Sequence, residues 1–182
     1  MIPAGNTVAP QSGGSLKYIT VDLGYNYSAQ TPSGMPYKIG PFVGYNNFHE
    51  RYNTFGCAQV GGNPNSCARS VPTNFDTLDL DTSWNSLRVG LAGETIIVQG
   101  TRVSLEAAWA RNWQESTDYH NQRPIIRGWN FTGKGGGAQL EGIVSHDITP
   151  NFSIGIGGRY WVFNAAGKAH VERLPIALIH QV

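Results

Sequence analysis

Six stretches of the chain alternate apolar residues with small or polar ones at a period of two, the pattern of β-strands with two different faces. In the first stretch, Ile19, Val21 and Leu23 share one face, and Thr20 and Asp22 share the other. The alternation recurs near residues 37–46, 78–93, 103–110, 138–145 and 152–162. Glycine is abundant, with 23 residues, and aromatic residues reach 11%, which suits turns and strands. We therefore predict an all-β, antiparallel fold.

Charged residues occupy the face opposite the apolar one. A soluble sandwich or barrel buries its apolar face and leaves charge outside. An outer-membrane barrel does the reverse, because its apolar face contacts lipid and its polar face lines the lumen. The candidate lumen residues are Asp22, Lys38, Glu106, Glu141 and Arg159. Aromatic residues near strand ends, which suit an interfacial girdle, are Tyr27, Tyr45, Trp109, Trp113, Tyr160 and Trp161. The pattern favours a transmembrane β-barrel.

The connections between the stretches alternate in length. Short connections lie at 30–36, around 99–100 and at 147–151, and long polar stretches run from about 49 to 76 and from 114 to 134. Outer-membrane barrels have short periplasmic turns and long external loops. We therefore predict that both polar stretches are loops at the outer mouth. Trp84 interrupts the pattern and indicates a bulge or a register change near the start of the third strand.

The alternating stretches are too few to close a membrane barrel, for which about eight strands are the minimum. We predict about six or seven strands here, of about eight to ten in the whole barrel, with a flexible segment at 1–15 and an incomplete barrel domain at 16–182. The tail could add a strand through Ile176, Leu178 and Ile179. The N-terminus lacks the basic and apolar regions of a signal peptide, so we expect that one was removed or that the chain starts inside a longer protein.

Composition excludes several classes of protein. Charged residues are 14%, hydrophobic ones 40%, and mean hydropathy is -0.27, which is not the composition of a disordered chain. A net charge of +1 without a basic cluster argues against nucleic-acid binding. No run approaches the roughly 18 apolar residues of a membrane-spanning helix. Gly133–Gly137 lacks the strand–loop–helix context of a phosphate loop, and we expect no cofactor.

Cys57 and Cys67 are the only cysteines, and both lie in one polar stretch. Their spacing suits a disulfide that closes a loop, provided that the compartment is oxidising. The alternative is two unpaired thiols. A metal site would need further Cys or His residues nearby, and the sequence offers none.

The segment Trp113-Gln-Glu-Ser-Thr-Asp-Tyr-His120 resembles the omptin segment in which a strand ends in Trp and leads to an Asp-x-His dyad. Three further stretches resemble omptin strands or turns in the same order. They are Tyr37–Tyr45 followed by Arg51-Tyr52, Leu87–Gly93, and Thr149-Pro-Asn151. The resemblance covers roughly residues 18–167 and implies the fold of a ten-stranded outer-membrane endopeptidase.

In omptins, an Asp–His dyad and an Asp pair are thought to activate a water molecule at the extracellular mouth. The resemblance implies that His120 is the general base and that Asp118 orients it. The spacing permits this role, because residues i and i+2 of an extended strand share a face. The alternative is a solvated pair in a polar loop. The omptin acidic pair would lie before Met1, whereas Asp79-Leu-Asp81 falls on another strand.

Three functions remain open from the sequence. The first is a structural, pore-like or surface-interaction barrel in the outer membrane of a Gram-negative bacterium, in contact with lipid and lipopolysaccharide and with ligands or peptides at its loops. The second is an omptin-type endopeptidase that uses Asp118 and His120. The third is a soluble β-barrel that binds a ligand.

Overall fold

A computed structural model describes residues 5–62, 71–121 and 126–173, and these form one antiparallel β-sheet. None of these residues belongs to a helix that could cross a membrane. The strands are β1 (Gly5–Val8), β2 (Gln11–Gly24), β3 (Tyr27–Gln30), β4 (Pro36–Gly62), β5 (Val71–Val98), β6 (Thr101–His120), β7 (Ile126–Thr149) and β8 (Phe152–Arg173). The all-β, antiparallel prediction is confirmed.

The eight strands occupy six positions in the sheet. β1, β2 and β3 lie end to end along one side of β4, and the order continues from β4 through β5, β6 and β7 to β8. Each of the six alternating stretches in the sequence corresponds to one position. Within the described residues, β8 pairs only with β7, so the sheet is not closed.

Two prolines interrupt the pairing between β4 and the first position of the sheet, which β1, β2 and β3 share. One is Pro41 of β4, and the other is Pro10, between β1 and β2. Pro41 has no N–H to offer the neighbouring strand, and β2 ends and β3 begins opposite it. Its carbonyl still accepts a hydrogen bond from Tyr25 N at 3.2 Å. Pro10 lies between β1 and β2, and its carbonyl accepts a hydrogen bond from Phe55 N at 2.9 Å. One long strand is thus divided into three without leaving its place beside β4.

Three tight connections lie at one end of the sheet, which we call the lower end. They are residues 31–35, 99–100 and 150–151. Gly34 and Gly100 have φ values of 81° and 78°, which glycine adopts without steric cost. Gly100 also accepts a hydrogen bond from Asp147 N at 2.8 Å. The short connections are where the sequence predicted them.

The two predicted long loops are wrong in extent, because most of their residues are strand. β4 continues to Gly62 and β6 to His120, while β5 begins at Val71 and β7 at Ile126. Main-chain pairing needs no apolar side chain, so strands persist where polar residues occupy the outward positions. Residues 5–8 and 11–15 of the predicted flexible segment also lie in strands, paired with β4. Residues 63–70, 122–125 and 174–182, with the proposed tail strand, are outside the described ranges.

The bulge or register change predicted near the start of the third strand does not lie at Trp84. Trp84 pairs in regular register with Phe48 of β4 and Gln114 of β6. The irregularity of the β4–β5 pair falls instead between Thr54 and Cys57, around Gly56 with its φ of 66°. Trp84 therefore fits the alternation as a large residue of one face.

The two faces of the sheet differ sharply in its lower part. The outer face carries exposed apolar residues, including Val43, Leu87, Val89, Leu91, Leu105, Trp109, Leu140 and Ile156. The inner face carries the fully buried side chains Arg88, Gln139, Asn46, Asn112 and Ser86. Buried apolar residues are few among the described positions: Phe42, Ala108 and Ala110. The centre of this fold is polar, as the lumen prediction requires.

The sheet curls until side chains of its two edge positions touch. Arg159 Nη1 of β8 donates to Thr20 Oγ1 of β2 at 3.4 Å. The rings of Tyr18 and Trp161 also meet, with centroids 5.7 Å apart. Trp161 therefore lies on the inner face, which contradicts its predicted place in an outer aromatic girdle.

Candidate functional site

A charge network centred on Arg88 fills the middle of the inner face, and we call it the waist network. Arg88 Nε donates to Asp22 Oδ1 at 2.8 Å, and its Nη2 donates to Asp22 Oδ2 at 3.0 Å. Nη2 also donates to Glu106 Oε1, and Nη1 donates to Gln139 Oε1. The guanidinium lies 4.8 Å from the ring centroid of Phe42. Four strands thus supply polar partners or ring contacts to one buried cation.

A second inner-face pair lies beside the waist network. Arg159 Nε donates to Glu141 Oε2, and the guanidinium stands 5.7 Å from the ring centroid of Tyr18. Below it, Glu94 lies 3.8 Å from Lys38 Nζ and 3.5 Å from Arg102 Nε. Together with the waist network, these groups comprise four basic residues, Lys38, Arg88, Arg102 and Arg159, and four acidic ones, Asp22, Glu94, Glu106 and Glu141. These eight residues together carry no excess charge of either sign that would attract ions.

Asp118 and His120 lie at the upper end of β6, opposite the tight turns. Asp118 Oδ1 is 3.2 Å from His120 Nδ1, so the two side chains contact each other, which their i, i+2 spacing on an extended strand permits. Both face inward, because they pair with Leu80 and Leu78 of β5. The His120 ring packs edge-on against Trp129, with centroids 4.6 Å apart. The geometry suits an imidazole oriented by a carboxylate.

Asp79 and Asp81 do not complete this dyad. They alternate with Leu78 and Leu80 on β5 and therefore face outward, away from Asp118. Among the described residues at the level of Thr82 or above, the inner face carries two carboxylates, Asp118 and Glu50. An acidic pair facing His120 is thus absent from the part of the chain that the structure describes.

An outward polar cluster surrounds Asp79, and the sequence analysis did not identify it as a group. Asn53 Nδ2 donates to Asp76 Oδ2 at 2.8 Å and also to Asp79 Oδ1. Asn121 Nδ2 donates to Asp79 Oδ2 at 3.3 Å. Partial burial, and then the neighbouring Asp76, raise the pKa of Asp79 above its ordinary 3.8, although Asn121 opposes this. The register of β4 and β5, which the sequence does not reveal, brings these residues together.

This cluster gives a pH-dependent prediction. Because its pKa is raised on folding, Asp79 contributes stability below pH 3.8, and that contribution is lost as the pH rises through the raised pKa. Carboxyl ¹³C NMR titration should show a midpoint for Asp79 above 3.8. Asp76→Asn should lower the midpoint, and Asn121→Ala should raise it. Equal midpoints in all three proteins would contradict the proposed causes.

Cys57 lies near the upper end of β4, at the same end of the sheet as Asp118 and His120. Cys67 falls outside the described residues, so the Cys57–Cys67 disulfide stays a prediction. In the described ranges, no group of three or more His, Cys, Asp or Glu residues is arranged to hold a metal ion.

Comparison with known proteins leaves the motif resemblance without independent support. No protein-family model matches the chain, and no curated protein matches its sequence. The omptin resemblance therefore depends on the short motifs and on the Asp118–His120 contact alone.

Proposed function

We propose that this chain forms part of an outer-membrane β-barrel of a Gram-negative bacterium, with a structural or surface-interaction role. The observation that carries the proposal is a reversal of polarity along the same strands. In the lower part of β5, Leu87, Val89 and Leu91 face outward, and Ser86 and Arg88 are buried inside. A soluble barrel has no reason to place an arginine inside and leucines outside.

The upper part of β5 has the opposite arrangement. Asp79, Asp81 and Ser83 occupy outward positions, while Leu80 and Trp84 occupy inward ones. Trp84 packs against Phe163, with ring centroids 5.7 Å apart. An apolar interior with a polar exterior is what water requires, and the reverse is what lipid requires. The sheet therefore fits a lower part in the membrane and an upper part in water.

The height of the outward apolar band suits a bilayer. On β4 the band runs from Tyr37 to Tyr45, and at the next outward position, Asn47, polar residues begin. Nine residues extend about 30 Å along a strand at roughly 3.3 Å each. With a tilt of roughly 35–45°, the band is about 21 to 25 Å tall, close to that of outer-membrane barrels.

The filled waist argues against an open pore. The Arg88 side chain has 0% exposure, and Asn46, Ser86 and Asn112 are also 0% exposed. A porin keeps an aqueous channel through its lumen. We therefore favour a barrel whose upper, water-exposed strands contact lipopolysaccharide headgroups or external ligands. In the membrane, the backbone N–H and C=O groups at the two edges of the sheet, β1–β3 on one side and β8 on the other, would need partner strands.

Cell fractionation tests the membrane location. After expression with an export signal, the protein should sediment with outer membranes, resist extraction by carbonate or urea, and dissolve only in detergent. Recovery of folded protein in the aqueous fraction without detergent would refute the proposal and favour the soluble ligand-binding barrel.

An omptin-type endopeptidase is the second candidate function, favoured by the 3.2 Å contact between Asp118 and His120. If folded protein cleaves peptides, His120→Ala should lower the rate by about 10²- to 10⁴-fold, as expected for loss of a general base. Asp81→Asn is the control, because Asp81 faces outward on β5. Equal cleavage rates for wild type and His120→Ala would exclude the dyad as the catalytic group.

A further inference from the structure

Three fully buried polar residues lie side by side directly above the waist network. Asn46 of β4 pairs with Ser86 of β5, and Ser86 pairs with Asn112 of β6. Each has 0% exposure. Neighbours in such a cross-strand row have Cβ atoms about 4.5 to 5.5 Å apart. Their polar groups are therefore confined to one small region of the interior.

These residues keep hydrogen-bonding capacity that no group among the described residues satisfies. Asn46 Nδ2 donates to Thr20 Oγ1 at 2.8 Å, but Asn46 Oδ1 has no partner. Ser86 Oγ and both Asn112 side-chain atoms, Oδ1 and Nδ2, also lack one. Below them, Gln139 uses Oε1 to accept from Arg88, and its Nε2 is without a partner. A buried polar atom without a hydrogen bond destabilises the fold, because it has lost its contact with water and gained nothing in return.

The chemistry of the unsatisfied atoms selects the partner. A metal cation does not fit this site for two reasons. Asn112 and Gln139 each direct an N–H donor into it, and Arg88, two residues from Ser86, adds a positive charge. Amide oxygens of Asn46 and Asn112 are acceptors, which an anion repels. Water both donates and accepts, and it occupies buried polar sites in folded proteins by bridging two to four such groups.

The rest of the row does not supply the missing hydrogen-bond partners. After Asn112 it continues to Gly135 of β7 and Ala165 of β8, which carry no polar side chain. We propose that Asn46, Ser86, Asn112 and Gln139 bind a buried cluster of ordered water molecules above Arg88. The waist is then closed to solutes by side chains but hydrated inside, and its polar side chains are held in place through water.

A crystal structure of the detergent-solubilised protein at about 2 Å or better tests this proposal. We expect water density within about 2.7–3.2 Å of Asn112 Nδ2 and Oδ1 and of Asn46 Oδ1. Direct hydrogen bonds among the four side chains, with no density between them, would overturn it. An anomalous signal from a halide or alkali-metal ion at the site would overturn it as well.

NMR of the folded protein in micelles supplies a second measurement. The side-chain amide protons of Asn112 and Gln139 should give cross-peaks to long-lived water, and Ser86→Ala should weaken those of Asn112. The exposed Asn130, on the outward face of β7, is the control and should show only rapid exchange with solvent. Identical water contacts at Asn112 and Asn130 would refute a buried site.

Discussion

Replacing Arg88 with alanine is expected to lower the free energy of unfolding by about 3–5 kcal/mol. The substitution leaves Asp22 and Glu106 near the centre of the inner face without their cation. Carboxylates that lose a buried partner retain their desolvation cost, and this cost exceeds the value of the lost contacts. Gln139 also loses the donor that its Oε1 accepts from. Urea unfolding of the folded protein in lipid vesicles, followed by tryptophan fluorescence, measures the effect.

Two further variants identify the cause. Arg88→Leu combined with Asp22→Asn and Glu106→Gln removes the cation and both negative charges, and should recover most of the lost stability. Arg159→Ala is the matched single control, because its side chain is 22% exposed against 0% for Arg88 and solvent screens Glu141 in part. If Arg88→Ala costs no more than Arg159→Ala, the waist network does not hold the fold together.

The strands in the lower part of the sheet could be predicted from sequence because their two faces differ in chemistry. Leu87, Val89 and Leu91 alternate with Arg88 and Gly90, and the structure places the two sets on opposite faces. The alternation does not reveal which strands pair at which register. The contact between Arg88 and Asp22, 66 residues apart, depends on that register and could not be predicted.

Residues 49–62, 71–76, 114–120 and 126–134 were predicted as parts of loops because these stretches look polar, yet they are strand. In the adjoining part of β5, which was predicted as strand, the alternation has the opposite phase, so that Leu78 and Leu80 face inward and Asp79 and Asp81 outward. A rule that apolar residues face outward along the whole strand therefore fails in the upper part of β5. The change of phase near Asn85 and Ser86 is itself a sequence signal, and it marks where the residues of the outer face change from polar to apolar.

The candidate site shows the same division between local and distant information. The contact between Asp118 and His120 follows from their spacing on one extended strand, and the structure contains it. The packing of His120 on Trp129 requires the register of β6 and β7. The cluster of Asp76, Asp79 and Asn53 likewise depends on the shift in register between β4 and β5.

Replacing Leu91 with arginine is expected to lower the stability of the folded protein in vesicles by about 2–4 kcal/mol. Leu91 is 57% exposed on the outer face and lies at the middle of the apolar band of β5. In the proposed orientation this position is near the bilayer midplane, where an arginine must leave water without a partner. Leu91→Ala separates the loss of apolar contact from the cost of the charge.

Glu115→Arg is the matched control, because Glu115 is exposed on the outward face of β6 in the upper, polar part of the sheet. There the new arginine contacts water, and the change should stay within about 0.5 kcal/mol. A membrane barrel predicts a large difference between the two arginine variants, whereas a soluble sheet with the same exposed leucine predicts almost none. Equal stabilities of Leu91→Arg and Glu115→Arg would therefore mean that the apolar outer face does not lie in lipid, whatever its appearance.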